Sequence, residues 1–341
     1  MSPQIFLFLL TIATYTDQAR IITTLKYSTF RVSPKIVHGS PVSKGQVPYL
    51  VSIKEPSVNV SQAKKLWTNL CGGSIITPSK VLTAAHCFEA NQFFYATNFS
   101  LLRVVAGNLH NHLIDSGRTS TSDKSQWRIM SKVVLHQNFN FPLNDIALVF
   151  VDTPFVFSET VNYVIPARAI TDYPKTCIAA GFGETQHGSN TSRKLLWTDI
   201  SVLSRAQCDF WWEMEMNDFI CTNSQASDVG AGDSGGPLAC YGTTDPTEQK
   251  GKDLLVGIVS GKNFDKTTLF TRVAAFDTWL QNEGQTSIAC ICEPSKIVLS
   301  FAIILSYIRL LILFIFGVGF TKYVHLCTVY RYYRIPAILL R

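Results

Sequence analysis

Gly232-Asp233-Ser234-Gly235-Gly236-Pro237 is the stretch around which the chain is organised. With glycine on both sides of Ser234, the backbone can fold tightly enough to aim two N–H groups, the serine's own and a neighbour's, at one point beside the hydroxyl. A carbonyl attacked by that hydroxyl would develop its negative charge there. A serine hydroxyl is a weak nucleophile near neutrality, so the stretch requires a base and a group to orient that base.

Two upstream segments offer these groups. Thr83-Ala84-Ala85-His86-Cys87 carries an imidazole, and Asn144-Asp145-Ile146-Ala147-Leu148 sets a carboxylate just before an apolar, strand-like run. In the order His, Asp, Ser, the three segments resemble the chymotrypsin/trypsin-type serine proteases. The resemblance covers residues 36–285 and implies an all-β fold of two six-stranded antiparallel β-barrels with the site in the cleft between them. It implies that Ser234 attacks a peptide carbonyl, His86 relays the proton, and Asp145 holds the imidazole. The N–H groups of Gly232 and Ser234 would bind the oxyanion. Protein or peptide substrates are implied, and neither a cofactor nor a metal is required. The family's calcium loop is not supported, because residues 108–127 contain only two acidic side chains, Asp115 and Asp123.

Lys35-Ile36-Val37-His38-Gly39 resembles the family's activation site. Cleavage after Lys35 would free an ammonium at Ile36 to pair with Asp233. A carboxylate buried beside the oxyanion donors needs such a partner, since breaking a buried ion pair costs about 3–5 kcal/mol. Lys35 at the cut implies an activating protease of tryptic preference. No cysteine precedes Cys71, so residues 17–35 would depart as an untethered pro-segment.

The chain has 341 residues, 47% of them hydrophobic, ample for a packed core. Its net charge of +6 is local. Residues 296–341 hold six basic side chains and no acid, so the preceding 295 residues balance 24 basic against 24 acidic groups. A nucleic-acid surface is therefore not indicated. Residues 1–16, with the apolar core Ile5–Ala13, read as an export signal too short to span a bilayer. Nine cysteines then read as a disulfide-bonded secretory-pathway protein. Three sequons at Asn59, Asn98 and Asn190 lie in polar stretches suited to surface glycosylation.

Between Ile36 and Glu283 short apolar or alternating runs recur between turn-formers. Examples are Tyr49–Ile53, Leu102–Ala106, Ile146–Phe150 and Leu254–Val259. This spacing alone predicts an all-β sandwich or barrel. Val273 to Glu283, with Val273, Phe276, Trp279 and Leu280 on one face, predicts a closing helix.

The resemblance also implies the disulfides Cys71–Cys87, Cys177–Cys240 and Cys208–Cys221. A fourth bridge of the family is lost at both ends: Gly230 stands at one position, and no cysteine lies between Cys240 and Cys290. Cys290, Cys292 and Cys327 fall outside the scheme. Asp228 corresponds to the base of the family's specificity pocket, where a carboxylate selects Arg or Lys. Val229 beside it is bulkier than usual, Ser260-Gly261-Lys262 departs from the family's Ser-Trp-Gly, and Thr268 stands where a glycine is usual. Lys262 or Lys266 could neutralise Asp228 internally.

Ile297–Phe320 is a 24-residue run broken only by Ser300, Ser306, Tyr307 and Arg309. As a helix it would reach about 36 Å, enough for one transmembrane span. Residues 286–296 then form a juxtamembrane linker, and 321–341, with Lys322, Arg331 and Arg334, form a cytoplasmic tail. The resulting expectation is a zymogen-type serine endopeptidase, membrane-anchored with its protease domain outside the cell and cleaving after Arg or Lys. Secretion of a trimmed, soluble form is the alternative location. A catalytically weak, membrane-displayed binding module on the same scaffold is the alternative function.

Overall fold

A computed structural model describes residues 39–57, 66–111, 125–174, 176–185, 190–223, 227–262 and 267–289, the side chains as far as 283. The expected export signal, the pro-segment, Ile36, Asn59, Lys266, the three unassigned cysteines and the 297–320 span lie outside these residues. Among the described residues no helix is long and apolar enough to cross a membrane.

Fourteen strands frame the described chain: β1 (Ser40–Pro41), β2 (Leu50–Pro56), β3 (Trp67–Thr77), β4 (Lys80–Thr83), β5 (Arg103–Ala106), β6 (Gln126–Leu135), β7 (Ala147–Val151), β8 (Ile165–Pro166), β9 (Thr176–Gly181), β10 (Leu196–Val202), β11 (Phe219–Asn223), β12 (Pro237–Cys240), β13 (Leu254–Lys262) and β14 (Thr268–Arg272). Strands β2 to β7 close a barrel in the order β2-β3-β4-β7-β6-β5, every pairing antiparallel. A second set runs β10-β11-β14-β13-β12-β9, and the β9–β10 pairing closes it into another six-stranded antiparallel barrel. The short β1 extends its edge on β10, and β8 adds a parallel pairing to β13. The fold is therefore the pair of six-stranded antiparallel barrels that the resemblance implied. Closure leaves neither barrel with a long open edge.

The apolar runs read from the sequence become barrel strands because each can bury its side chains inward. Ile53, Ile75, Val81, Leu82, Val104, Val105 and Val149 are fully buried in the first barrel. Ala179, Ile200, Ile220, Leu238, Leu254, Val256 and Phe270 fill the second. At about 1.5–3 kcal/mol for each large side chain removed from water, these interiors are the main stabilising term.

Three disulfides join Cys71 to Cys87, Cys177 to Cys240 and Cys208 to Cys221. The helices are short. Helix α1 covers Ala90–Thr97, and α2 (Arg205–Trp212) opens with a capping box in which Ser204 and Gln207 satisfy each other's backbone N–H groups. The closing segment differs from the expected single helix. Val273–Phe276 is a 3-10 turn, and the α-helix α3 begins only at Asp277 and runs to Ala289. The tighter turn, three residues per repeat, still buries Val273 and Phe276 together, so the apolar spacing is compatible with either form. The first compact unit of the chain ends at Trp279, and of the second only the helical stretch to Ala289 is described.

Candidate active site

His86 sits in a 3-10 turn, Ala85–Phe88, immediately after β4, and the Cys71–Cys87 disulfide ties that turn to β3. Asp145 lies two residues before β7, the neighbour of β4 in the first barrel. The preceding Asn144 adopts a left-handed φ of 54°, which asparagine tolerates better than most residues. The two groups meet closely. His86 Nδ1 and Asp145 Oδ2 are 2.7 Å apart, and the His86 main-chain N–H donates to Asp145 Oδ1 at 2.8 Å. Asp145 is fully buried while the His86 side chain stays 19% exposed, so the imidazole can face a substrate. Phe141 stands edge-on to the ring, with centroids 5.4 Å apart.

Burial alone would lower the pKa of His86. The Asp145 carboxylate opposes it through charge and hydrogen bond, with Glu89 adding a smaller pull, and the net pKa lies above the ordinary imidazole value. With Nδ1–H donated to the carboxylate, Nε2 carries the basic lone pair.

Ser234 belongs to the loop before β12 in the second barrel, and several contacts press that loop against the histidine-bearing barrel. The Gly72 N–H of β3 donates to the Ser234 carbonyl at 2.7 Å. Gly235 has a φ of +76°, and a Cβ there would collide with Thr83 Oγ1, three residues before His86. Only glycine permits that approach. Thr83 Oγ1 is itself held by donating to the Gly72 carbonyl at 2.8 Å. Among the described residues neither the Gly232 nor the Ser234 N–H donates to another group. Ser234 Oγ also makes no hydrogen bond among the described residues.

Two residues of the second barrel complete the setting of Asp145, and the sequence reading gave them no such role. Ser260 Oγ donates to Asp145 Oδ2 at 2.6 Å, and Thr271 Oγ1 donates to its main-chain oxygen at 2.9 Å. The available signal was a polar residue interrupting each apolar strand, β13 and β14.

Asp233 is 1% exposed and accepts the N–H groups of Gly183 at 2.8 Å and Gly230 at 2.9 Å. A Cβ at Gly181 or Gly183 would run into this carboxylate. It meets no cation among the described residues. Burial pushes its pKa up to about 7, against the two backbone donors that lower it, with the nearby Asp228 charge raising it further. Asp228, also fully buried, is differently placed: it accepts from Thr268 Oγ1 at 2.8 Å and from the Val229 N–H at 2.9 Å, and it forms an ion pair with Lys262 Nζ. The sequence offers Lys262 or Lys266 for that pairing; Lys262 makes it, and Lys266 lies outside the described residues.

Asn98 and Asn190 are exposed, as a glycan acceptor must be. His86 also lies within 4.8 Å of the sulfurs of Cys71 and Cys87, but these are joined in the disulfide and present no thiolate pair for a metal.

A hydrogen-bonded Asp-His pair from one antiparallel barrel, met by a serine loop of a second, defines the class of two-barrel serine peptidases. The family model described as Trypsin matches residues 36–280, and the chain belongs to that family. Its similar proteins include a venom serine protease of Polistes dominula, 30% identical over 68% of this chain and 77% of the relative. A trypsin of Xenopus laevis is 29% identical, covering 73% of this chain and 90% of the relative. Trypsin-1 of Astacus astacus is 31% identical, covering 66% and 88%.

Proposed function

We propose that the chain is a serine endopeptidase made as a zymogen and switched on by cleavage between Lys35 and Ile36. The observation that carries this reading is the hydrogen-bonded Asp145–His86 pair, with a serine loop packed on the same barrel whose two oxyanion-side N–H groups have no acceptor among the described residues. Ser234 Oγ attacks the peptide carbonyl carbon as its proton passes to His86 Nε2. The N–H groups of Gly232 and Ser234 hold the oxyanion, a contribution of about 2.7–4 kcal/mol per donor in comparable sites. The C–N bond breaks as His86 returns the proton to the departing amine, leaving an acyl group on Ser234. Water then repeats the sequence to release the acid.

That Asp233 meets no cation among the described residues supports the activation step. A new ammonium at Ile36 would ionise this carboxyl and fix the loop that carries Gly232 and Ser234. The sequence expectation of cleavage after Arg or Lys rests on Asp228, and it describes a pocket in which that carboxylate meets the substrate. For location, the export signal and the 297–320 run support a membrane anchor with the protease domain outside. Detergent-dependent release of the full chain from membranes checks that placement, and release without detergent indicates the trimmed, soluble form.

A second reading, a membrane-displayed binding module, is favoured by the Lys262–Asp228 pairing, which occupies the specificity carboxylate. The two separate on one assay. Chain cut after Lys35 is incubated with a mixture of denatured protein substrates, and new amino termini are counted. Hydrolysis that is absent from uncut chain and from a Ser234→Ala variant supports the peptidase. No hydrolysis by correctly cut, folded chain supports the binder.

A further inference from the structure

We infer that Lys262 fills the specificity pocket of this chain from within, so that the cut enzyme discriminates against Arg and Lys at the cleaved position and favours short, uncharged side chains there. The inference rests on the peptidase reading for its kinetics, but the occupancy of the pocket can be tested without it.

The cause lies in strand register. Lys262 is the last residue of β13 and pairs directly with Thr268, the first of β14. Residues opposite one another in an antiparallel pair project from the same face of the sheet. Both side chains therefore point the same way, and both reach Asp228. Thr268 Oγ1 takes one carboxylate oxygen at 2.8 Å, shared with the Val229 N–H, and Lys262 Nζ takes the other. Asp228 is left 1% exposed and the lysine side chain only 15%. Lysine is seldom so covered unless it is paired.

A substrate guanidinium engages a carboxylate best through two parallel hydrogen bonds, one to each oxygen. Here one oxygen already accepts two donors and the other holds an ammonium. An incoming cation would have to evict Lys262 and tolerate like-charge repulsion from it. The competition is uneven, because a tethered side chain acts at an effective concentration on the order of millimolar or above, whereas a substrate meets the site at its bulk concentration. Val229, 5% exposed, adds bulk beside the carboxylate. What the substrate meets at this position is a carboxylate already compensated in charge. Burial raises the carboxylate's pKa on balance, with Lys262 the first of the groups that oppose the rise.

The test uses full chain cut after Lys35, as wild type, Lys262→Gly and Lys262→Gln. Each preparation is first titrated with a neutral alkyl fluorophosphonate to count reactive Ser234. Binding of p-aminobenzamidine, a flat amidinium cation, is followed by its fluorescence, and kcat/KM is compared for matched peptides with Arg or Ala at the cleaved position. Wild type should bind the amidine at least about 100-fold more weakly than Lys262→Gly, the scale of a desolvated charge pair. It should also prefer Ala to Arg, with the preference reversed in Lys262→Gly and weakened in Lys262→Gln. Tight amidine binding by wild type, with Arg preferred and no gain in the variants, overturns the inference. If the glycine variant fails to fold, the wild-type affinity and Ala/Arg ratio still decide. If no preparation reacts with the fluorophosphonate, the peptidase reading fails, while amidine binding still reports whether Lys262 closes the pocket.

Discussion

Asp145 and Asp233 are both buried carboxylates beside the candidate nucleophile, yet the chain treats them differently. Asp145, from the first barrel, collects His86 at two points and Ser260 from across the cleft. Asp233, in the serine loop of the second barrel, has two backbone N–H groups and no cation among the described residues. The contrast teaches that the base and its orienter are assembled by the described residues alone, whereas the serine loop holds a carboxyl that burial drives toward neutrality. On this account the step from zymogen to enzyme acts on the second half only.

The largest effect should come from the completed half. Asp145→Asn is expected to lower kcat on the order of 10⁴-fold, a magnitude familiar from Ser-His-Asp proteases, because the imidazole loses its tautomer and its charge support. The pH profile carries the sign. His86 must be neutral to accept a proton, and its pKa is raised, so the acid limb of kcat/KM in the parent should lie above the ordinary imidazole range and move to lower pH in the variant. A limb that stays in place would break the assignment of Asp145 as the group acting on His86.

Asp233→Asn probes the other half. In cut enzyme it removes the partner of the Ile36 ammonium and should reduce kcat/KM by about 10²–10³-fold, the kinetic equivalent of most of the 3–5 kcal/mol attached to a broken buried pair. In uncut chain the same change should stabilise. The folded-state pKa of about 7 lies above the ordinary carboxyl value of 3.8. The folded form therefore holds the extra proton, and stability is fully present below pH 4 and lost as pH rises toward 7. About three pKa units correspond to a loss on the order of 4 kcal/mol at higher pH. Denaturant midpoints of uncut chain should fall across that window and flatten in Asp233→Asn. Equal slopes in both proteins would remove the contrast with Asp145.

Smaller effects sharpen the comparison. Ser260→Ala deletes a donor to a charged acceptor, worth about 1.5–3 kcal/mol, and should lower kcat roughly 10- to 100-fold with KM nearly constant. An increase in KM alone would place Ser260 in substrate binding. Thr83→Val removes the bond to the Gly72 carbonyl and should reduce stability by about 1 kcal/mol in a denaturant titration, leaving the pH profile unmoved.

How much of this was legible in the sequence follows from how local each feature is. The segments holding His86, Asp145 and Ser234 stand out in the sequence because each is short and carries its own chemistry, whereas the approach of Gly235 to Thr83 needs the two barrels in place. The barrels were readable as recurrent apolar runs. Ser260 and Thr271 were not readable as orienting groups, because a lone polar residue in a strand acquires its role only when the second barrel folds against the first. The choice of Lys262 as the partner of Asp228 depended on register: pairing with Thr268 aims its side chain at the pocket, and a slip of one residue would have turned it away. The 3-10 turn at Val273–Phe276 escaped notice because an apolar pair three residues apart suits either helix.

On the proposed mechanism a Ser234 alcohol, made reactive by His86, waits on one cut. The most direct measurement of this is covalent labelling by a neutral fluorophosphonate, read by mass spectrometry of the intact chain and of the peptide holding Ser234, before and after cleavage at Lys35-Ile36. The account predicts one label per cut chain, on Ser234, with little on uncut chain and none on cut His86→Ala. Folded, correctly cut chain that takes no label, or takes it equally without His86, would contradict it.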